Sequence, residues 1–378
     1  MGVTDGQTAS QGERLSVDLG RSGAELTPAP RGSGVRTLFS NALFGTRFAT
    51  IWIATGILVI ICKIVAPSTF TSASWSSVLP FGSLVVILAL GQMLVIMVGG
   101  IDLSMAAAIS LQANILVGVS KGANDRMAVA VLTVLAVAVL IGFVNGVLIA
   151  VVELNPLIVT LSMKFILDGA NSQYRLGIAN SSKVPNSLAN VVIEKTFGVS
   201  KAFWAVVALT LVVSVMLRSS TPGRRFQTVG ANRRAAWMAG IHVRTYVVLA
   251  YIGASVAAGL GAILLSGLVQ SPGATPGKDY LLGPVAAVVL GGAALSGGLA
   301  SPWSTWVAAF FVQILNQMLR ILGLDVAWSN VVFGLAIVLG MLISGDRIAD
   351  VIGRLLLRSS ARSPTEPPRQ FTEAKPVT

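Results

Sequence analysis

The sequence predicts an all-α, polytopic integral membrane protein with about ten transmembrane helices (8–10) and both termini in the cytoplasm. Three observations predict it. First, the 378 residues are 54% hydrophobic and only 11% charged, with a mean hydropathy of +0.79, whereas globular domains carry about 25% charged residues. Second, about ten apolar runs approach the roughly 20 residues, at 1.5 Å each, that cross a hydrocarbon core. Third, the arginines outside those runs cluster in three regions that ten crossings place on one side.

Residues 1–47 are rich in Gly, Ser, Thr and Pro and are expected to form a polar, disordered cytoplasmic tail. They contain no short apolar core before a cleavage site, so no cleavable signal is expected. The membrane domain is expected over 48–345, with apolar segments near 48–66, 79–98, 102–120, 127–151, 156–174, 203–218, 245–269, 281–299, 303–322 and 328–345. Residues 346–378 read as a second polar cytoplasmic tail. With the Arg-bearing N-terminus inside, counting crossings also puts the 218–244 stretch and the C-terminal arginines inside. The 175–202 connection falls outside although it carries Arg175, Lys183, Lys195 and Lys201, and longer loops follow the rule less strictly.

Composition excludes several functions. The net charge of +12 follows the collection of Lys and Arg in cytoplasmic loops, so nucleic acid is not an expected partner. One cysteine, Cys62, allows no intrachain disulfide or thiolate cluster, and one histidine, His242, allows no multi-histidine metal site. No G-x-x-x-x-G-K-[ST] occurs, and no Ser/His/Asp set can be built around His242 on an inner loop. The chain is therefore not expected to be an enzyme, to hold a metal or to bind a cofactor of its own.

A basic, Gly-punctuated stretch between two apolar runs, TPGRRFQTVGANRRAAWMAGIHV (221–243), carries most of the functional information. Pro222-Gly223 reads as a turn ending the preceding span. Asn232 suits an N-cap, the following residues form helix, and Gly240 is placed to close it in a left-handed C-terminal cap. Ala235, Ala236 and Ala239 give this two-turn helix a small-residue face, and Trp237 and Met238 give it bulk. Such a helix fits a groove on a soluble partner or lies on membrane lipid.

Asp102 follows Gly99-Gly100 and opens an apolar segment. An acid there is a functional candidate, and an N-capping role satisfies its charge locally. In Ala286–Leu299 the pairs Gly291-Gly292 and Gly297-Gly298 allow close packing or a broken helix lining a cavity, and Pro302 suits the first turn of the next helix. Glycine pairs in both halves are compatible with an internal repeat. Gly99, Gly100, Asp102, Ser104, Asn145, Gly291, Gly292, Gly297 and Gly298 are thus the candidates for helix breaks or for the translocation path. Gln92, Asn114, Asn171, Gln173, Gln313, Asn316 and Gln317 read individually as helix–helix glue, and Lys164 and Asp168, four apart, as a local pair.

With these segments in view the chain resembles the ribose-type, monosaccharide permease family of bacterial ABC importers. Three matches carry the resemblance: LGQMLVIMVGGIDLS (90–104), GRRFQTVGANRRAAWMAGI (223–241) and AAVVLGGAALSGG (286–298), in the family's order and spacing. The resemblance implies an inner-membrane permease subunit that moves a sugar or related small polar solute. Two copies would form the path, an ATP-binding subunit would dock beneath each, and an extracytoplasmic solute-binding protein would deliver the solute. ATP would be used by the partner subunit. Gly230, Asn232, Ala235, Ala236, Gly240 and Ile241 would belong to the helix in the ATPase groove, within a coupling loop spanning 219–244. The chain departs from the family pattern at Arg233-Arg234, where a proline or acid is common, which fits a more acidic ATPase groove or an unusual pairing. MAAAIS after Ser104 also lacks the small-Gly-Ser pattern common there. An ion-driven secondary transporter is the alternative, and a membrane-anchored scaffold is a third reading.

Overall fold

The computed structural model of the protein describes residues 46–178 and 182–344. Both expected polar tails fall outside these residues, save 46–47, which begin the first helix. The described residues form α1 (Thr46–Val65), α2 (Ser72–Met97), α3 (Met105–Ser120), α4 (Met127–Ala150), α5 (Pro156–Arg175), α6 (Asn186–Ile193) and α7 (Lys201–Ser219). After these come α8 (Thr221–Ala231), α9 (Arg233–Met238), α10 (Val243–Val269), α11 (Gly283–Leu290), α12 (Pro302–Ile321) and α13 (Val326–Ser344). The small hairpin of β1 (Lys195–Thr196) and β2 (Val199–Ser200) precedes α7.

Four of the helices, α2, α4 with its leading turn, α7 and α10, are long and apolar enough to cross a membrane by length and composition alone. Central among them are α2 and α10. α10 packs on α2, α3 and α4, and its inward face is small: Ala250, Ala254, Ala258 and Ala262 are fully buried. Opposite, a side chain at Gly142 of α4 would collide with the Tyr251 and Ile252 backbone. Without a hydrophobic force between helices in lipid, such small-residue contact is what brings membrane helices together.

Nine of the ten apolar segments are helices close to their expected bounds, and the eighth differs. Instead of a helix through 281–299, α11 has eight residues. Gly292, at φ 88°, closes it with a Schellman turn: its N–H donates to the Val289 carbonyl at 2.9 Å, and the Ala293 N–H donates to Val288 at 3.2 Å. Irregular backbone then runs to Pro302, which occupies the first turn of α12 as expected, behind the Ser301 cap. The segment before α11 is also irregular, apart from one 3-10 turn at Lys278–Tyr280, and sinks between α3 and α5. The Ala274 carbonyl accepts from Asn114 Nδ2 at 3.1 Å and from Asn171 Nδ2 at 2.8 Å, and the Gly277 N–H donates to Ser110 Oγ at 3.0 Å. Irregular backbone at membrane depth survives only when protein satisfies its polar groups, and here side chains of α3 and α5 do so.

Candidate functional site

The α7–α10 link is more ordered than the sequence reading expects. Pro222 and Gly223 do not end α7 in a loop; they form the first turn of α8, because Ser220 Oγ accepts from the Gly223 N–H at 3.0 Å and Pro222 stands where a missing N–H costs nothing. α8 folds back on the end of α7, burying Gly223, Phe226 and Val229. Phe226 meets Tyr246 of α10 edge-on at 6.2 Å between ring centroids.

α9 follows directly. Asn232 Oδ1 accepts from the Ala235 N–H at 3.0 Å. At the other end Gly240 has φ 75°, its N–H donates to Trp237 at 2.9 Å, and the Ile241 N–H donates to Ala236 at 3.0 Å. These two bonds are the Schellman pattern. Ala236 is fully buried, while Trp237 and Met238 are 71% and 69% exposed. The helix therefore turns a small residue toward its own chain and two large apolar ones outward.

The backbones of three distant segments meet beside α8. The Gly298 N–H donates to the Met97 carbonyl at 2.9 Å. A Cβ on Gly230 would overlap that carbonyl and stand 3.0 Å from Gly298 N, and one on Gly297 would stand 2.8 Å from the Gly230 oxygen and 3.2 Å from Gly99 N. Only glycine lets these chains approach so closely. Arg233, the first residue of α9, donates from Nη2 to the Val98 carbonyl. Its guanidinium is thus used inside the chain, on one of the carbonyls left free where α2 ends, although Arg233, like Arg234, is an exposed residue.

Asp102 stands behind this crossing, in the connection between α2 and α3 and outside both helices. Its Oδ1 accepts from the Ser104 N–H at 2.8 Å and from the Ser104 hydroxyl at 2.5 Å. Ser104 Oγ in turn accepts from Asn145 Nδ2 at 3.0 Å. Thr160 of α5 donates to the Ile101 carbonyl at 3.2 Å. Asp102 therefore holds the residue that caps α3 and is not the cap itself. Burial pushes its carboxyl above the usual carboxylate range, and the two bonds from Ser104 oppose that rise. Gly100 packs under Tyr251, whose hydroxyl would meet any added side chain.

Gly99, Gly100, Asp102, Ser104, Asn145, Gly297 and Gly298 thus gather with Gly230 and Arg233 at one end of the bundle. Gly291 packs instead against the Thr305 backbone, and Gly292 ends α11. Among the described residues a wide cleft of ≈ 1130 Å³ beside α9 is bordered by Arg233, Arg234, Trp237 and His242, and two other clefts lie away from all of these candidates. One, of ≈ 350 Å³, is bordered by Gln313, Asn316, Arg320, Asp279, Tyr280 and Asn330. The other, of ≈ 470 Å³, is bordered by Lys164, Asp168, Ser172, Lys278, Asp279 and Asn330. Sequence reading missed these groupings; the signal available was the polar stripe along α5. Gln92, read as glue, and Gln112, which sequence reading did not single out, are fully buried with no hydrogen-bond partner among the described residues.

A protein-family model described as the permease component of branched-chain amino acid transport systems matches residues 74–341. Over 298 residues the chain is 30% identical to the ribose import permease protein of Escherichia coli, covering 78% of this chain and 92% of that one. Against the ribose import permease protein of Bacillus subtilis it is 30% identical over 294 residues, 78% and 91% of the two chains. Against the autoinducer 2 import system permease protein of Salmonella typhimurium it is 27% identical over 329 residues, 85% and 94%. No solved structure matches the chain.

Proposed function

This chain belongs to the permease family that includes the ribose-type ABC importer permeases, and from that premise we propose that it imports a monosaccharide-like polar solute by coupling through α9. It is a multi-pass inner-membrane translocation subunit, and such a subunit works with an ATP-binding subunit and a solute-binding protein. In our reading the ATP-binding subunit takes α9 into a groove, with Trp237 and Met238 as the inserted bulk and Ala236 as the seat. ATP is bound and hydrolysed there, not on this chain. A second copy of the permease completes the path, and lipid surrounds the pair.

The observation that carries this reading is the meeting of Gly230, Gly298 and Met97. Displacing α9 displaces α8, and Gly230 at the end of α8 bears on the backbone at the ends of α2 and of the broken α11 segment. A push from outside the membrane therefore reaches two membrane elements by direct contact. The sugar class is supported by the names of the ribose import relatives. Its test is uptake of labelled D-ribose, D-xylose and D-glucose by cells expressing the complete importer, against cells lacking only this chain. Loss of uptake of at least one sugar is expected; no difference for any of them would overturn the sugar assignment.

A further inference from the structure

We propose that the Lys164–Asp168–Ser172 stripe of α5 lines the solute path and hydrogen-bonds the hydroxyl groups of a neutral polyhydroxylated solute, which rests on the import role above. Residues at i, i+4 and i+8 share one line on a helix, and these three border the ≈ 470 Å³ cleft together. Lys164 lies eight residues beyond Pro156, about 12 Å along the axis at 1.5 Å per residue, so the pair sits in the middle third of the 20-residue α5, which the sequence reading takes as a span. Lys164 Nζ donates to Asp168 Oδ2 at 2.7 Å, with the side chains 26% and 39% exposed. An ion pair open to acyl chains at that depth costs several kcal/mol; such pairs face a water-filled cavity or protein.

Away from the stripe, Ile158 and Ile166 of α5 are 66% and 63% exposed, whereas Phe165 lies beside it, with Lys164 Nζ 5.0 Å from its ring centroid. The helix thus carries exposed apolar side chains and one polar stripe, and the stripe borders the cleft. The opposite wall is the sunken segment before α11, whose Asp279 borders this cleft and the ≈ 350 Å³ one alike, as does Asn330 of α13. Polar groups therefore continue from one cleft to the next. A paired ammonium and carboxylate offer donors and acceptors side by side with no net charge, which suits hydroxyl groups. An ionic solute would have to compete with the pair for one of its members.

Cysteine accessibility in membrane vesicles holding the complete importer tests the lining without knowledge of the solute. In a Cys62→Ala background, Ser172→Cys is expected to react with a water-soluble methanethiosulfonate at least about tenfold faster than Ile166→Cys, as a water-lined position should. Equal rates, or no reaction at position 172 with or without ATP, would overturn the proposal. For the hydrogen-bonding role, a Lys164→Leu/Asp168→Leu variant is compared with the Lys164→Asp/Asp168→Lys exchange, using the sugar among D-ribose, D-xylose and D-glucose that the unaltered importer carries. Uptake is expected to fall about tenfold in the apolar variant at equal membrane abundance and to recover in the exchange, since polar contacts and not bulk are removed. Undiminished uptake in the apolar variant would overturn that role. If the unaltered importer carries none of the sugars while Ser172→Cys still reacts, the sugar assignment fails, the hydroxyl-binding role falls with it, and the path lining stands.

Discussion

The Gly298 N–H and the Met97 carbonyl, 201 positions apart in the chain, are joined at 2.9 Å, and Gly230 rests against the same carbonyl. This contact links α2, the broken segment after α11 and the end of α8. In the proposed function it is what lets a push on the exposed α9 reach the membrane domain.

Gly230→Ala should disable coupling. A methyl there meets backbone on both sides, and overpacking of this kind costs about 1–3 kcal/mol. Uptake is expected to fall at least tenfold while the complex still assembles. Full uptake by the variant would show that α8 can shift away without consequence.

Gly240→Val should act by a different route. Nothing crowds this glycine, but its φ of 75° costs a side-chain-bearing residue roughly 1–2 kcal/mol. Gly240→Asn, which tolerates left-handed backbone, should retain most of the uptake that Gly240→Val loses. Equal behaviour of the two variants would remove the cap from the explanation.

The pattern of legible and hidden features has physical causes. The cap at Asn232, the left-handed turn at Gly240 and the pairing of Lys164 with Asp168 were readable because each is set by residues within about two turns of each other. α8 was not, since Pro222-Gly223 is ambiguous between a turn and a helix start until Ser220 is seen to cap it. The sunken segment before α11 depends on Asn114 and Asn171, which are remote in sequence, whereas α11 is closed by Gly292, a glycine that read equally as a packing residue or a helix break. The contact of Arg233 with Val98 was equally invisible, so the pair Arg233-Arg234 read as a single outward feature.

Arg233 and Arg234 should therefore separate. Arg233→Ala removes a bond to the end of α2 and is expected to lower uptake severalfold without loosening the ATP-binding subunit. Arg234→Ala leaves the permease intact and should weaken retention of that subunit on a tagged permease, more so at high salt, where exposed charge pairs are screened. Measuring co-purified ATPase across a salt series checks both; matching losses of the subunit in the two variants would contradict the assignment.

Asp102→Asn should be mild and Asp102→Leu severe. Asparagine keeps an oxygen for both Ser104 donors, whereas leucine leaves buried polar groups unpaired at roughly 1–3 kcal/mol. Thermal stability of the detergent-purified permease is expected to drop clearly only for the leucine variant. A comparable drop for asparagine would mean that the negative charge itself is required.

The most direct test of the central claim is transport by purified components in lipid vesicles. With the solute-binding protein on one side and the ATP-binding subunit on the other, labelled sugar should accumulate when ATP is present and stop when hydrolysis is blocked by vanadate. The account predicts no accumulation by this chain alone under a proton or sodium gradient. Uptake by the chain alone, driven by such a gradient and indifferent to ATP, would contradict it.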